Sequence, residues 1–482
     1  MKKVFGMVPK VPFHFPILFV LFYLLTSQLQ AWPIIWDNGG NEQCFGAATD
    51  ASANVIAVGY HQPYNNEWRV AKYNSAGTFL WEQTWDYGWG SQALDVATDG
   101  SSNIYVCGSY PNPYDHDWKI IKYSSGGSVL WERNFGGGYG DDVAYGIATD
   151  PSGNVIVTGY YHSQYGNNIW RTAKYNSNGT FLWEQTWDYG WGSQSLDVAT
   201  DGSGNIYVCG SYPNPYDHDW KIIKYNANGS VLWERNFGGG YGDDVAYGIA
   251  TDPSGNVIVT GYYHSQYGNN IWRVVKYNSS GTFLWEQTWD YGWGSQALDV
   301  ATDGSGNIYV CGSYPNPYNH DWKIIVYRAN GTIAQEYSGW DLGGDDVPYD
   351  IAVRGSYFYA AGVTNGYGTY DWVIQRYNIV AIEEQNSQNN IDQIRLCSFP
   401  NPVRFCATIS YHIPSETHVQ LAIFNVNGQL VQELMNEHQE SGYHRVNWDI
   451  HNVSGKQLPN GVYFYRLTTG DFSETRKLII LR

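Results

Sequence analysis

Positive charge is scarce in this chain of 482 residues: 27 Lys and Arg stand against 45 Asp and Glu, a formal net charge of −18. Nucleic-acid affinity comes chiefly from cationic side chains that displace counterions, so this balance argues against a nucleic-acid partner. Charge of either sign is sparse, at 15% of residues, while aromatics reach 17%. Such a composition builds its core from Trp, Tyr and Val in strands rather than from Leu-rich helices. Long apolar runs are missing as well. The longest, FPILFVLFYLL from Phe15 to Leu25, has eleven residues, short of the ~20 that cross a bilayer as a helix. Lys2, Lys3 and Lys10 precede it and the small residue Ala31 follows, the order of a secretory signal peptide. Residues 1–31 are therefore expected to be removed on export, leaving no membrane span. Nor does the chain contain a Gly-x-Ser-x-Gly elbow, a His-Glu-x-x-His pair or a glycine-rich phosphate loop before a helix, the common marks of nucleophilic, zinc and nucleotide chemistry.

Cysteines are few, six in all. Cys107, Cys209 and Cys311 recur in one phrase, YVCGSY, and are expected to be small buried hydrophobes in equivalent packed places rather than bridges. Cys397 and Cys406 could close a short loop.

What the chain does have is repetition. DPSGNVIVTGYYHSQYGNNIW occurs twice, starting at Asp150 and at Asp252, and residues 99–200 and 201–302 differ at only eight positions. The phrase ATD ends at Asp50, Asp99, Asp150, Asp201, Asp252 and Asp303, and AVR ends at Arg354 in the same register. Each of the seven units reads as four short strands, with Asp-Gly or Asn-Gly turn signals between the first and second and between the third and fourth. Four antiparallel strands per ~50 residues, seven times over, predict an all-β fold, a seven-bladed β-propeller over residues 32–377. The last unit supplies only three strands. PIIWDN around Trp36 matches the missing fourth, so an N-terminal strand is expected to close the last blade and remove its open edge. Tryptophans at equivalent places in the third and fourth strands fit wedge-filling core positions.

The phrase D-x-S-G-N-x-x-V-x-G with a later K-Y-N resembles the β-propeller repeats of bacterial secreted and surface proteins, a resemblance that implies fold far more than function. After a polar linker, residues 378–395, a second module over 396–482 alternates apolar residues with Asn-Gly turns, the pattern of a small immunoglobulin-like β-sandwich. Its phrases FPNP (with Pro400, Asn401 and Pro402), NVNGQLV (with Gly428), NGVYFYRL (with Gly461 and Tyr463) and KLIILR (with Lys477) resemble the C-terminal sorting domain of type IX secretion cargo. That resemblance implies handling by the type IX secretion machinery and release or display at the outer-membrane surface. Arg482 stands where the family usually ends in Lys.

Two sets of residues are candidates for function. The position eight before each ATD aspartate reads Glu42, Ser91, Asp142, Ser193, Asp244, Ser295 and Asp346. The four carboxylates, backed by Asp141, Asp243 and Asp345, could hold Ca²⁺, which takes oxygen ligands. A seven-fold ring, however, sets most of them too far apart to share an ion, and the plainer reading is solvated residues at strand starts. The loops between second and third strands carry Tyr114, His116 and Asp117, then Tyr216, His218 and Asp219, then Tyr318, His320 and Asp321. Exposed rings beside carboxylates and amides suit a glycan or protein ligand. The alternative is that these tyrosines pack the blade ends. Because nearly every candidate recurs, multivalent binding or adhesion fits better than catalysis, which wants two different groups around one bond. An extracellular polysaccharide-degrading enzyme with its site at the channel mouth is the alternative.

Overall fold

The computed structural model describes residues 32–480 except 38, 63–65, 89, 137–138, 239–241, 293, 316–318, 339–343, 366–368, 380–394, 400–405, 414, 441, 451–457 and 471. The leader expected over 1–31, most of the expected linker, Tyr318 and the Pro400-Asn401-Pro402 phrase lie outside the described residues.

Every described element is a strand. Six sheets of four antiparallel strands follow one another over residues 43–85, 92–135, 143–188, 194–237, 245–289 and 296–338. The seventh takes Val347–Arg354, Tyr357–Thr364 and Asp371–Asn378 from the end of the repeats and its outermost strand, Ile34–Trp36, from their beginning. Ile34 faces Ile374 and Trp36 faces Trp372 in that closing pair. These are the seven blades of a β-propeller, closed as the repeat count requires. The chain divides into two compact units, one holding sheets 1 to 4 and the seventh, the other sheets 5 and 6 with the C-terminal module.

The recurring residues build one device. In sheet 3, Asp150 Oδ1 accepts the main-chain N–H groups of Ser152 and Asn154, each at 2.9 Å, and Oδ2 accepts Asn154 Nδ2 and the Lys174 ammonium at 2.8 Å. Gly153, at φ +76°, completes the tight turn at no steric cost. Lys174 also donates to Ala227 O in sheet 4. The Asp, Gly and Asn of D-x-S-G-N and the Lys of K-Y-N are therefore turn and inter-sheet fasteners. Burial works to raise the Asp150 carboxyl, but the bonds from Lys174 and Asn154 prevail and hold it below the usual carboxylate range; Asp50 and Asp252 repeat this.

Tryptophans and threonines join neighbouring sheets in the same way. Trp68 and Trp118 are buried and donate Nε1 to Ser109 O (2.9 Å) and Tyr160 O (2.7 Å) of the next sheet. Thr98, Thr149 and Thr200 each donate Oγ1 to the main-chain oxygen of the preceding ATD threonine. Asp95 bonds Ile147 N, and Asp350 bonds Ala47 N across the closure. The ring-facing strands of the first unit are thus stitched pair by pair. Cys107 and Cys311 are buried free thiols that donate to Ala144 O and Pro348 O.

The C-terminal module packs the sheet Arg395–Phe399, Cys406–Ile413, Gly442–Asp449 against a four-stranded sheet whose order is Leu430–Gln439, Thr417–Asn425, Gly461–Thr469, Phe472–Ile480. Ile409, Leu421, Trp448, Tyr465 and Leu478 lie in its core. The side chains of Cys397 and Cys406 fall outside the described residues.

Candidate functional site

The loop after the second strand of sheet 2 is held rigid by its own side chains. Asn112 Oδ1 accepts the N–H groups of Tyr114 (2.7 Å) and Asp115 (3.1 Å), and Asp115 Oδ2 accepts Gly140 N (2.8 Å). On this fixed backbone the Tyr114 ring is 95% exposed, as Tyr216 is at 94% in sheet 4. Sheet 3 presents Tyr165 at 83%, its N–H bonded to Ser163 Oγ, and Trp191 from the following connection at 75%. All four rings leave the same end of three consecutive blades, because second-to-third and fourth-to-first connections emerge on one side of a four-stranded antiparallel blade. The tyrosines of these loops therefore divide into two kinds. Tyr160 and Tyr262 pack inside the blade ends, where burial pushes their hydroxyl pKa up, Tyr262 to about 12, and Tyr114, Tyr165 and Tyr216 stand in water.

The neighbouring His and Asp do other work. His116 Nδ1 lies 2.7 Å from Asp141 Oδ1, its main-chain N–H bonds the same oxygen, and its ring fills the space over Gly90. A Cβ at Gly90, whose φ is +86°, would stand 2.5 Å from Nε2, so only glycine admits the ring. His218 and His320 nest on Gly192 and Gly294 in the same manner, and His320 also meets Asp345. Asp117 is half-buried and accepts the Tyr110 hydroxyl, whose pKa is raised by burial and by this carboxylate; Asp219 is also half-buried, and Asp321 is buried. Thus the structure brings His116 to Asp141 and leaves Tyr114 apart from both.

The acid-and-serine positions need a correction. Glu42, Asp142, Asp244 and Asp346, with Ser91, Ser193 and Ser295, are fully buried rather than solvated. The reason lies in the connection between blades: Asp142 N donates to His116 O of the preceding blade, while its Oδ1 accepts His162 N of its own. Asp244 accepts His264 N at 2.7 Å, and Asp346 N and Glu42 N donate to His320 O and Tyr370 O. Among the described residues one group of acids could hold a metal ion, and it contains Glu42 alone of the four, together with Asp37 and Asp371. Their oxygens lie within 4.8 Å of one another. Asp371 is raised above the usual carboxylate range, first by burial and then by the charge of Asp37. The sequence reading missed Asp37 and Asp371. Their signal was the register between units: Asp371 stands where Asp117 does, but the residue facing it is Asp37 where sheet 2 has Gly136.

At the other end of sheets 3 and 4 an open cleft of about 570 Å³ is lined by Asp150, Lys174, Trp183 and Asn228. Its charged pair is the turn fastener already described.

In the C-terminal module Gly428 (φ +75°) closes a turn in which Asn425 Oδ1 accepts Asn427 N and Gln429 N at 3.0 Å. Gly461 opens the strand in which Tyr463 is buried, its hydroxyl donating to Pro459 O. Lys477 is exposed opposite Phe464.

Residues 398–481 match the family described as a secretion system C-terminal sorting domain. No curated protein matches the chain. Similar solved structures include PorZ of Porphyromonas gingivalis, described as an essential bacterial surface component of the type IX secretion system, at 14% identity and a TM-score of 0.44. That match covers 94% of this chain and 61% of PorZ, so the chain spans about three-fifths of that protein's length. The WD40 propeller of Doa1 matches at 12% identity and 0.45, covering 72% of this chain and 96% of that one. The Neurospora crassa Pan2 WD40 domain matches at 10% and 0.43, covering 70% and 89%. With a secretion sorting domain at residues 398–481, the chain is a secreted or outer-membrane-surface protein built on a seven-bladed β-propeller.

Proposed function

We propose that the propeller is a multivalent binding module that holds carbohydrate on the face carrying Tyr114, Tyr165, Trp191 and Tyr216. The observation that carries this reading is the high exposure of these rings, three of them on loops whose backbone is held by Asn112, Ser163 and Asn214. A loop whose backbone is held in advance loses less conformational entropy when a flat pyranose stacks on its ring. Their neighbours in sequence include Asn, Asp, Gly and Ser, whose polar groups suit sugar hydroxyls. Recurrence in consecutive blades turns weak single sites into avidity for a repeating polymer. Hydrolysis at the channel mouth fits less well, because Asp142 and Asp244 are committed to main-chain N–H groups.

The test is a glycan-array screen of the protein with product analysis of every hit. Binding without cleavage that is lost when the four rings are changed together to Ala supports the proposal. Cleavage products would replace it with the enzyme reading, and no glycan binding at all would leave a protein partner as the ligand.

A further inference from the structure

The closing sheet differs from its copies at one place where chemistry is concentrated. Three positions meet at this end of sheets 2 to 5 and of the closing sheet: the residue before the third-strand tryptophan, the residue after the fourth strand's last core ring, and the acid-or-serine residue of the next connection. In sheets 2 and 4 they read Asp117, Gly136, Asp142 and Asp219, Gly238, Asp244; in sheets 3 and 5 they read Ile169, Asp188, Ser193 and Ile271, Asp290, Ser295. Each of these four copies therefore offers at most two acids, and sheet 2 has no room for a third: a Cβ at Gly136 would lie 2.1 Å from Asp117 Oδ1. Among the described residues the closure alone brings three such acids together, Asp37 and Glu42 from one stretch of chain and Asp371 from another.

Two further polar atoms point to a ligand there. Asp371 is fully buried and its Oδ2 has no hydrogen-bond partner; the weak 3.5 Å bond from Thr369 goes to Oδ1. Thr364 is directly opposite Asp371 in the pairing of the second and third strands, so both side chains lie on one face of the sheet. It too is fully buried, and its Oγ1 has no partner. Orphaned buried oxygens beside three carboxylates are costly unless something positive sits among them. The guanidinium stacked on Trp36, that of Arg69, is bonded to Glu82 instead.

We infer that Asp37, Glu42, Asp371 and the Thr364 hydroxyl bind one calcium ion that fastens the N-terminal strand to sheets 7 and 1. The donors are all oxygens, the preference of a hard cation, with no imidazole or thiolate to select zinc or copper. Calcium–oxygen distances of about 2.3–2.6 Å let two ligands on opposite sides of the ion stand ~5 Å apart, which matches a cluster whose oxygens lie within 4.8 Å. The ion's role follows from the topology. The closing strand is three residues long, and Asp37 leaves it directly, so a shared cation ties down a short strand that few ladder bonds hold. This inference is independent of the carbohydrate reading, since it concerns a different set of side chains.

The experiment uses the full-length protein, stripped with chelator and titrated with Ca²⁺ by equilibrium dialysis while thermal unfolding is followed in parallel. The expected result is one calcium per chain, at an affinity of about 10⁻⁴–10⁻³ M as in other extracellular modules, with a higher midpoint of unfolding when it is bound. Asp37 is exposed, so Asp37→Asn should fold as the parent does by circular dichroism and bind calcium about tenfold more weakly or not at all. Asp371→Asn should behave likewise, and Asp86→Asn, at the same position of sheet 1 as Asp37, should bind as the parent does. No saturable uptake, uptake undiminished in Asp37→Asn, or preference for Mg²⁺ or Zn²⁺ over Ca²⁺ would overturn the assignment.

Discussion

Sheets 2 and 7 start from the same four-strand pattern and treat their polar residues differently. In sheet 2 the conserved geometry of the copied unit gives each acid a protein partner: Asp117 has Tyr110, Asp141 has His116 and Asp142 has His162 N. In sheet 7 the outer strand comes from the far end of the repeats, its Asp37 stands where sheets 2 and 4 have glycine, and Asp371 and Thr364 keep buried oxygens without a partner. Copying a unit copies its internal bonds. The one place a copied unit cannot complete itself is the closure, where two chain ends meet, and there the copies give no guide to what a residue does.

Several substitutions would break or sharpen that contrast. The largest effect is expected inside a copied blade: Trp118→Ala removes a buried ring and its bond to Tyr160 O and should cost about 3–5 kcal/mol in denaturant unfolding. Lys174→Met, which leaves Asp150 buried without its ammonium, should cost about 3 kcal/mol and change the acid limb of the stability curve. The sign is fixed by the lowered Asp150 carboxyl. Its contribution is present above the ordinary carboxylate value of ~3.9 and is lost as pH falls through the still lower folded value, so the parent should lose more stability than the variant below about pH 4. At the closure, Ile34→Ala should cost about 2–4 kcal/mol, because Ile34 is buried in the core of the seventh sheet. The matching position of sheet 2, Arg133, is half-exposed, and Arg133→Ala should cost less than about 1 kcal/mol. A smaller cost for Ile34→Ala than for Arg133→Ala would show that the closing strand carries little of the fold. The smallest effect is expected at Tyr114→Ala, within about 0.5 kcal/mol by thermal unfolding, since a ring in water contributes little to packing.

Much of the architecture was legible in the chain. Seven units, their four strands and the borrowed closing strand were all read from the spacing of ATD and the match of PIIWDN to the fourth-strand phrase, and the structure has each. The C-terminal sorting domain was legible for a different reason, as an ordered set of phrases, and the family match covers the same stretch. The candidate sites were harder. Tyr160 and Tyr165 belong to one loop phrase, yet one is packed and the other in water, because strand alternation and the turn at Ser163 send their side chains in different directions. His116 looks like a ligand in the string DHD, but the glycine that receives its ring is in the connection before it, Gly90. The strand-start acids read as solvated because nothing local in the phrase GDDVAYG shows the preceding blade's carbonyl lying over it.

By itself, then, the sequence determined what local physics can encode: strand period, the Asp-Asn-Gly turns, the count of units and the identity of the exported tail. Only the tertiary structure decided which tyrosines face water, that Glu42 and its counterparts are buried, and that Asp37, Glu42, Thr364 and Asp371 share one end of one sheet. Burial and juxtaposition depend on the neighbouring blade, and at the closure that neighbour is supplied by the opposite end of the repeats, a relation no window of sequence contains.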